Sequence, residues 1–443
     1  MMNILTTLNE WVWGIPLLFL LVGTGLMLTI RLRFLQVFKL KKGVQLIFQT
    51  SEGDGELSAF GSLCTALSAT LGTGNIVGIA AAIAIGGPGA LFWLWVAAFF
   101  GMATKYAEGV LAIKYRMINE DNQVSGGPMY YIVNGMGAKF KPLAIMFAAS
   151  GTLVALFGMG TFAQVNTISS SVQNTVGIPA GIVGIIVASL VALIIFGGLS
   201  YISKVAEILI PFMAGIYIII CSTIIGTNLD LLLPTLKLIF ESAFTGTAAV
   251  GGFSGATMMM AMRTGVARGV FSNESGLGSS PIAVATAKTD WAASQGMVAM
   301  VETFFSGFVI CTLTGLSLII TGTWELPGIA GSELMEVTFN SVIPMGSILL
   351  MISLTLFAFT TILGWNYYGE RCWEFLFGKK SIKIYRILFV LMVALGAFIE
   401  LEAVWLIADI MNGLMAFPNL IALLALSHVV VSETKAYLTY LKG

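Results

Sequence analysis

The chain has 443 residues, of which 57% are apolar and only 10% are Asp, Glu, Lys or Arg. A soluble domain carries about 25% charged residues, so a chain kept in water by a charged skin is excluded. The 22 basic and 22 acidic residues cancel, which leaves no basic face for nucleic acid and no acidic tail.

Crossing the hydrocarbon core takes about 20 apolar residues. In chain order, the sequence predicts spans at 11–30, 57–85, 90–113, 143–168, 178–199, 205–225, 243–287, 292–320, 337–367, 384–398 and 401–430. The first is not a cleavable signal, because no basic residue precedes it and no small-residue cleavage site follows it. The span in 243–287 is broken by glycines. Arg31, Arg33, Lys39, Lys41 and Lys42 follow the first span and place the N-terminus outside by the positive-inside rule. Alternation from there puts almost all other loop basic residues inside, and the outer loops receive only Lys237. The expected class is all-α integral membrane: eleven transmembrane helices, two of them broken, with the C-terminus inside.

Two stretches are unlike lipid-facing helices: Ser68-Ala69-Thr70-Leu71-Gly72-Thr73-Gly74-Asn75, and the run from Gly269 through Glu274 to Gly278. Glycine gives up the most backbone freedom in a helix, and Ser, Thr and Asn compete for backbone hydrogen bonds. A break at bilayer depth is tolerated only where it lines a buried cavity. Its freed N–H groups suit a carboxylate and its freed carbonyls a cation. Apart from the first span, the breaks fall in the first and sixth of ten, and each is followed by four spans. That is the pattern of inverted five-plus-five repeats in secondary transporters. The expected division is 1–50 for the extra helix and its basic connector, 51–226 for the first repeat and 227–443 for the second.

Four segments carry a family resemblance. The run from Gly86 to Gly101, GGPGALFWLWVAAFFG, resembles the signature of the sodium:alanine/glycine symporter family, in which Met more often stands at the place of Leu94. Gly72-Thr73-Gly74-Asn75-Ile76, Gly126-Gly127-Pro128-Met129-Tyr130-Tyr131 and the run from Phe271 to Pro281 match as well. The resemblance covers nearly the whole chain. It implies a leucine-transporter-like fold in the plasma membrane and sodium-coupled uptake of alanine or glycine by alternating access.

By that resemblance the substrate is a small zwitterion and Na+ the coupling ion. Thr73, Gly74 and Asn75 are expected to hold its carboxylate, and Gln164 with carbonyls near Phe271 its ammonium. Phe271 and Trp365 would wall its side chain. Sodium prefers oxygen ligands. Comparison with the related fold assigns it the hydroxyls of Thr360 and Thr361 and the carbonyls of Ser68, Leu71 and Phe357, with Thr361 also bordering the substrate. Charged residues in spans are expected to be paired or functional: Lys105 with Glu108, Arg263 and Arg268 with Glu274 as a cytoplasmic-side gate, and Asp409 with Asn412 facing the cavity. His428 is expected at the membrane interface.

Rival classes fare worse. An enzyme needs a catalytic cluster, yet there is one histidine, and the four cysteines (Cys64, Cys221, Cys311, Cys372) are scattered. A channel needs repeated filters. The remaining alternative is a cation- or proton-coupled carrier of another small solute on the same fold.

Overall fold

The computed structural model describes residues 2–49, 52–118, 123–245, 258–399 and 401–442. Two helices, α1 (Met2–Val12) and α2 (Ile15–Arg31), lead into a short helix, α3 (Leu40–Ile47). The first bent span follows as α4 (Ala59–Thr70) and α5 (Val77–Gly86), the pair turning by 66°. Next come α6 (Gly89–Lys114), α7 (Lys141–Phe157), α8 (Phe162–Val176), α9 (Ala180–Ile195) and α10 (Leu199–Gly226). The second half holds α11 (Leu232–Thr245), α12 (Met258–Asn273), α13 (Ala292–Thr303), α14 (Cys311–Ile320), α15 (Gly331–Asn340), α16 (Gly346–Phe377), α17 (Ile382–Gly396), α18 (Leu401–Ala425) and α19 (Ser427–Tyr440).

Among the described residues, seven helices are long and apolar enough to cross a membrane, or eight if α4 and α5 form one bent span. Three further expected crossings correspond to α9, α12 and α17, which have 16, 16 and 15 residues. Each falls short of the length that crosses the hydrocarbon core untilted.

Two expected boundaries change. The span read as 337–367 begins instead at Gly346, because Met345 takes a left-handed φ of 63° and α15 ends before it. The span read as 143–168 is interrupted between Phe157 and Phe162, at Gly158-Met159-Gly160-Thr161. The span expected in 243–287 lies partly at 246–257, outside the described residues; the break expected at 269–278 is described and lies at the end of α12.

Small residues bring the helices together, since in lipid close packing and not hydrophobicity drives association. A Cβ on Gly364 of α16 would stand 2.5 Å from the Ala69 nitrogen and 2.5 Å from the Ser68 hydroxyl of α4. A Cβ on Gly265 of α12 would stand 2.3 Å from the Ala90 carbonyl of α6. These backbone-to-backbone approaches hold α4 and α12, the two helices that run into the breaks, against long straight neighbours.

Candidate functional site

The first break is a short turn, Thr73–Asn75, between α4 and α5. It is held by the side chain of Asn75. Asn75 Oδ1 accepts from the Gly72 N–H at 3.0 Å, and Asn75 Nδ2 donates to Ser272 Oγ of α12 at 2.6 Å. The Asn75 carbonyl accepts from Thr314 Oγ1 of α14 at 2.9 Å. The freed backbone of the break is therefore partly satisfied by the Asn75 side chain and by α14, as bilayer depth requires. Ser272 Oγ and Cys311 Sγ, 2.9 Å apart, complete the joint between the two breaks. Sequence reasoning missed Cys311, since a single thiol in an apolar span carries no signal.

The second break begins where α12 ends. Glu274 has φ 54°, and Gly276 and Gly278 have φ 86° and 81°. Left-handed backbone ends a helix, and glycine adopts it without steric cost. The bend turns Ser279 and Ser280 inward onto carboxylates: Ser279 Oγ donates to Glu274 Oε2 at 2.6 Å, and Ser280 Oγ to Glu302 Oε2 at 2.6 Å.

Lys105 does not pair with Glu108. Its ammonium lies 2.8 Å from Glu302 Oε1 of α13, with both side chains buried. Thr70 Oγ1, at the end of α4, donates to the same oxygen at 2.5 Å. Glu108 instead accepts from Asn419 Nδ2 at 2.6 Å and from the Gly276 N–H at 3.1 Å. Residues three apart on α6 meet different neighbours, so proximity in sequence misassigned the pair. Glu302 itself went unnoticed because it sits inside an otherwise apolar run.

The five residues expected around sodium fall on two packed helices. Thr361 Oγ1 lies 3.3 Å from the Leu71 carbonyl, at the end of α4, and 2.9 Å from the Phe357 carbonyl. Thr360 Oγ1 bonds back to the Phe357 carbonyl at 3.0 Å and to the Leu356 carbonyl at 3.1 Å. Ser68 sits where Gly364 leaves room, its own hydroxyl turned to the Thr65 carbonyl at 2.7 Å. Leu71, Phe357, Thr360 and Thr361 are fully buried. Hydroxyl and carbonyl oxygens facing each other across α4 and α16 are the donor set a hard cation takes.

Of the expected substrate residues, Gly74 lies beside Phe271: a Cβ there would stand 3.2 Å from its ring. A Cβ on Gly72 would stand 2.6 Å from Thr361 Oγ1. The first break thus lies between Phe271 of α12 and Thr361 of α16. Gln164 opens α8 just after the unexpected interruption at Gly158–Thr161. It is fully buried, and both its amide oxygen and nitrogen lack a hydrogen-bond partner among the described residues. Thr73 Oγ1, also buried, is without a partner among the described residues too. An unsatisfied buried polar group costs about 1–3 kcal/mol, so these atoms mark where a polar ligand would be accepted. Trp365 packs edge-on to Tyr368, ring centres 5.6 Å apart.

Arg263 and Arg268, expected with Glu274 at a gate, form no salt bridge with it among the described residues. They line a cavity with Asn9, Trp13 and Ile85, at the end of the bundle where the chain begins. The chain enters α12 from that end, so its arginines precede the break. The opposite end, beside the start of α4, holds a polar cavity of about 210 Å³. There Arg386 grips Glu370 through 2.6 and 3.0 Å hydrogen bonds, and Arg371 bonds the same carboxylate at 2.8 Å. Glu56 borders this cavity, and burial pushes its carboxyl above the usual range, although the Val124 N–H it accepts works the other way. His428 is exposed and rests on the Ala425 carbonyl at 3.1 Å.

The family description "Sodium:alanine symporter family" matches residues 1–443. The chain belongs to the sodium:alanine symporter family. It is 47% identical to the sodium/alanine symporter AgcS of Methanococcus maripaludis, over 98% of this chain and 97% of that protein. An uncharacterized transporter of Haemophilus influenzae is 48% identical, over 99% and 97% of the two chains. In architecture the chain is similar to the crystal structure of MhsT in complex with L-phenylalanine, with TM-score 0.57 and 12% identity over 86% of this chain and 99% of that one. As a member of this family the chain is a multi-pass secondary transporter and not an enzyme. The family is one of sodium-coupled amino-acid symporters.

Proposed function

We propose that this member of the family imports alanine or glycine together with sodium by alternating access. In this reading it has eleven spans, five-plus-five inverted repeats after the extra helix, an outer N-terminus and a cytoplasmic C-terminus. The observation that carries the coupling is the Thr361 hydroxyl, 3.3 Å from the Leu71 carbonyl and 2.9 Å from the Phe357 carbonyl. Sodium taken there by Ser68, Leu71, Phe357, Thr360 and Thr361 would bind the end of α4 to α16. Holding α4 holds Thr73, Gly74 and Asn75 beside it, so the ion lowers the cost of ordering the substrate site, and the substrate returns the same coupling to the ion.

In the substrate site, N–H groups of the first break and the Thr73 hydroxyl meet the carboxylate. The amide oxygen of Gln164 accepts from the ammonium. Phe271 and Trp365 close the wall and leave room for a small side chain. Asn75 acts chiefly by shaping the break, since its amide is engaged by Gly72 and Ser272.

Gln164→Ala tests the substrate half. A hydrogen bond to a charged group is worth about 1.5–3 kcal/mol, so alanine affinity should fall about tenfold or more. Equilibrium binding of alanine to purified protein in sodium would read it. Unchanged affinity would remove Gln164 from the site.

A further inference from the structure

At the end of the bundle where the chain begins, a cavity of about 280 Å³ carries charges of both signs that the proposed transport site does not use. Its lining includes Asn9, Trp13, Arg263, Arg268, Phe271 and Asp409. Asp409 is 9% exposed, and its Oδ1 has no hydrogen-bond partner among the described residues. The amide oxygen of Asn9, also shielded from solvent, has none among the described residues either. Two acceptors thus border the cavity with their hydrogen-bonding capacity open, which at a buried position costs free energy until a donor arrives. Donors for an anion line the same cavity, with Arg268 near enough to Asp409 to attract its carboxylate. Neither Arg263 nor Arg268 forms a salt bridge among the described residues, and the Arg268 guanidinium lies 5.3 Å above the Phe271 ring.

The arrangement is anchored. The Trp13 indole N–H donates to the Asp409 carbonyl at 2.8 Å, tying the loop between α1 and α2 to α18. The floor is shared: Phe271 borders this cavity, and the same ring lies against Gly74 in the first break. Guanidinium groups suit a carboxylate, and an open carboxylate oxygen beside an amide oxygen suits an ammonium. A zwitterion presents both at once.

We propose that this cavity is an outer waiting site for the zwitterionic amino acid, from which it passes Phe271 into the inner site. Asn9 and Trp13 belong to the N-terminal extension, so the helix beyond the ten-helix frame takes part in capturing substrate. The proposal rests on the amino-acid symport reading above and on the N-terminus lying outside.

Equilibrium binding of radiolabelled alanine to the purified full chain in sodium, over a wide concentration range, tests it. Wild type should show two classes of site. Asp409→Asn and, separately, Arg263→Gln should weaken the looser class about tenfold or more and leave the tighter class in place, while the KM of uptake rises. Gln164→Ala should do the reverse and weaken the tighter class. Arg263 is exposed, so its variant carries the test if Asp409→Asn does not fold. A single class of site in wild type, or unchanged loose binding in a folded variant, overturns the waiting site while the inner site stands. No alanine binding in any protein overturns the transport reading and this proposal with it.

Discussion

Thr361→Ala is expected to leave a folded protein whose uptake no longer responds normally to sodium. The hydroxyl is the only side-chain oxygen of the proposed cation site that reaches across from α16 to α4, at 3.3 Å from the Leu71 carbonyl. Thr360 by contrast turns back to its own helix, as threonines in membrane helices often do. Losing one oxygen that serves a cation costs about 1.5–3 kcal/mol, or tenfold and more in the sodium concentration for half-maximal uptake. Gly72 leaves space at the alanine, so packing changes little. Thr361→Ser should restore the response, because it keeps the oxygen. A wild-type sodium response in Thr361→Ala moves the cation to another place.

The second large effect concerns stability. Lys105 and Glu302 are both fully buried, and Glu302 gathers Lys105, Thr70 and Ser280 within 2.8, 2.5 and 2.6 Å. One carboxylate thereby joins α4, α6, α13 and the second break. Replacing Lys105 by Met leaves that carboxylate buried without its cation, and breaking one side of such a pair costs about 3–5 kcal/mol. Thermal unfolding in detergent should show a large drop for Lys105→Met. It should show a smaller one for Lys105→Met combined with Glu302→Gln, because the second change removes the stranded charge. The non-additivity is the signature of the pair. Single variants as stable as wild type would mean that the pair contributes nothing to the fold.

What the sequence reveals and what it hides follow from the range of the forces involved. Apolar length and glycine-rich polar runs are local, so the bent span at Thr73–Asn75 and the left-handed turns after α12 are legible from the residues alone. The interruption at Gly158–Thr161 was legible in principle, through two glycines and a threonine in four residues, but the span 143–168 was expected to run through it. Pairings across the bundle are not local. Lys105 has Glu108 one turn away and binds Glu302 instead, because the helix that reaches its ammonium is chosen by tertiary packing. Arg263 and Arg268 were grouped with Glu274 by nearness in sequence, and they line a cavity with Asn9 and Trp13 for a related reason. The ring of Phe271 beside Gly74, and Thr361 beside Leu71, were expected from family resemblance and from no spacing rule.

The most direct test is alanine uptake into proteoliposomes under an imposed inward sodium gradient, repeated with potassium in place of sodium and with other amino acids competing. The expected result is accumulation that requires the sodium gradient, is inhibited by glycine and unlabelled alanine, and is indifferent to leucine. Uptake of the same rate and extent with potassium would contradict sodium coupling and dissolve the role given to Thr361 and Leu71.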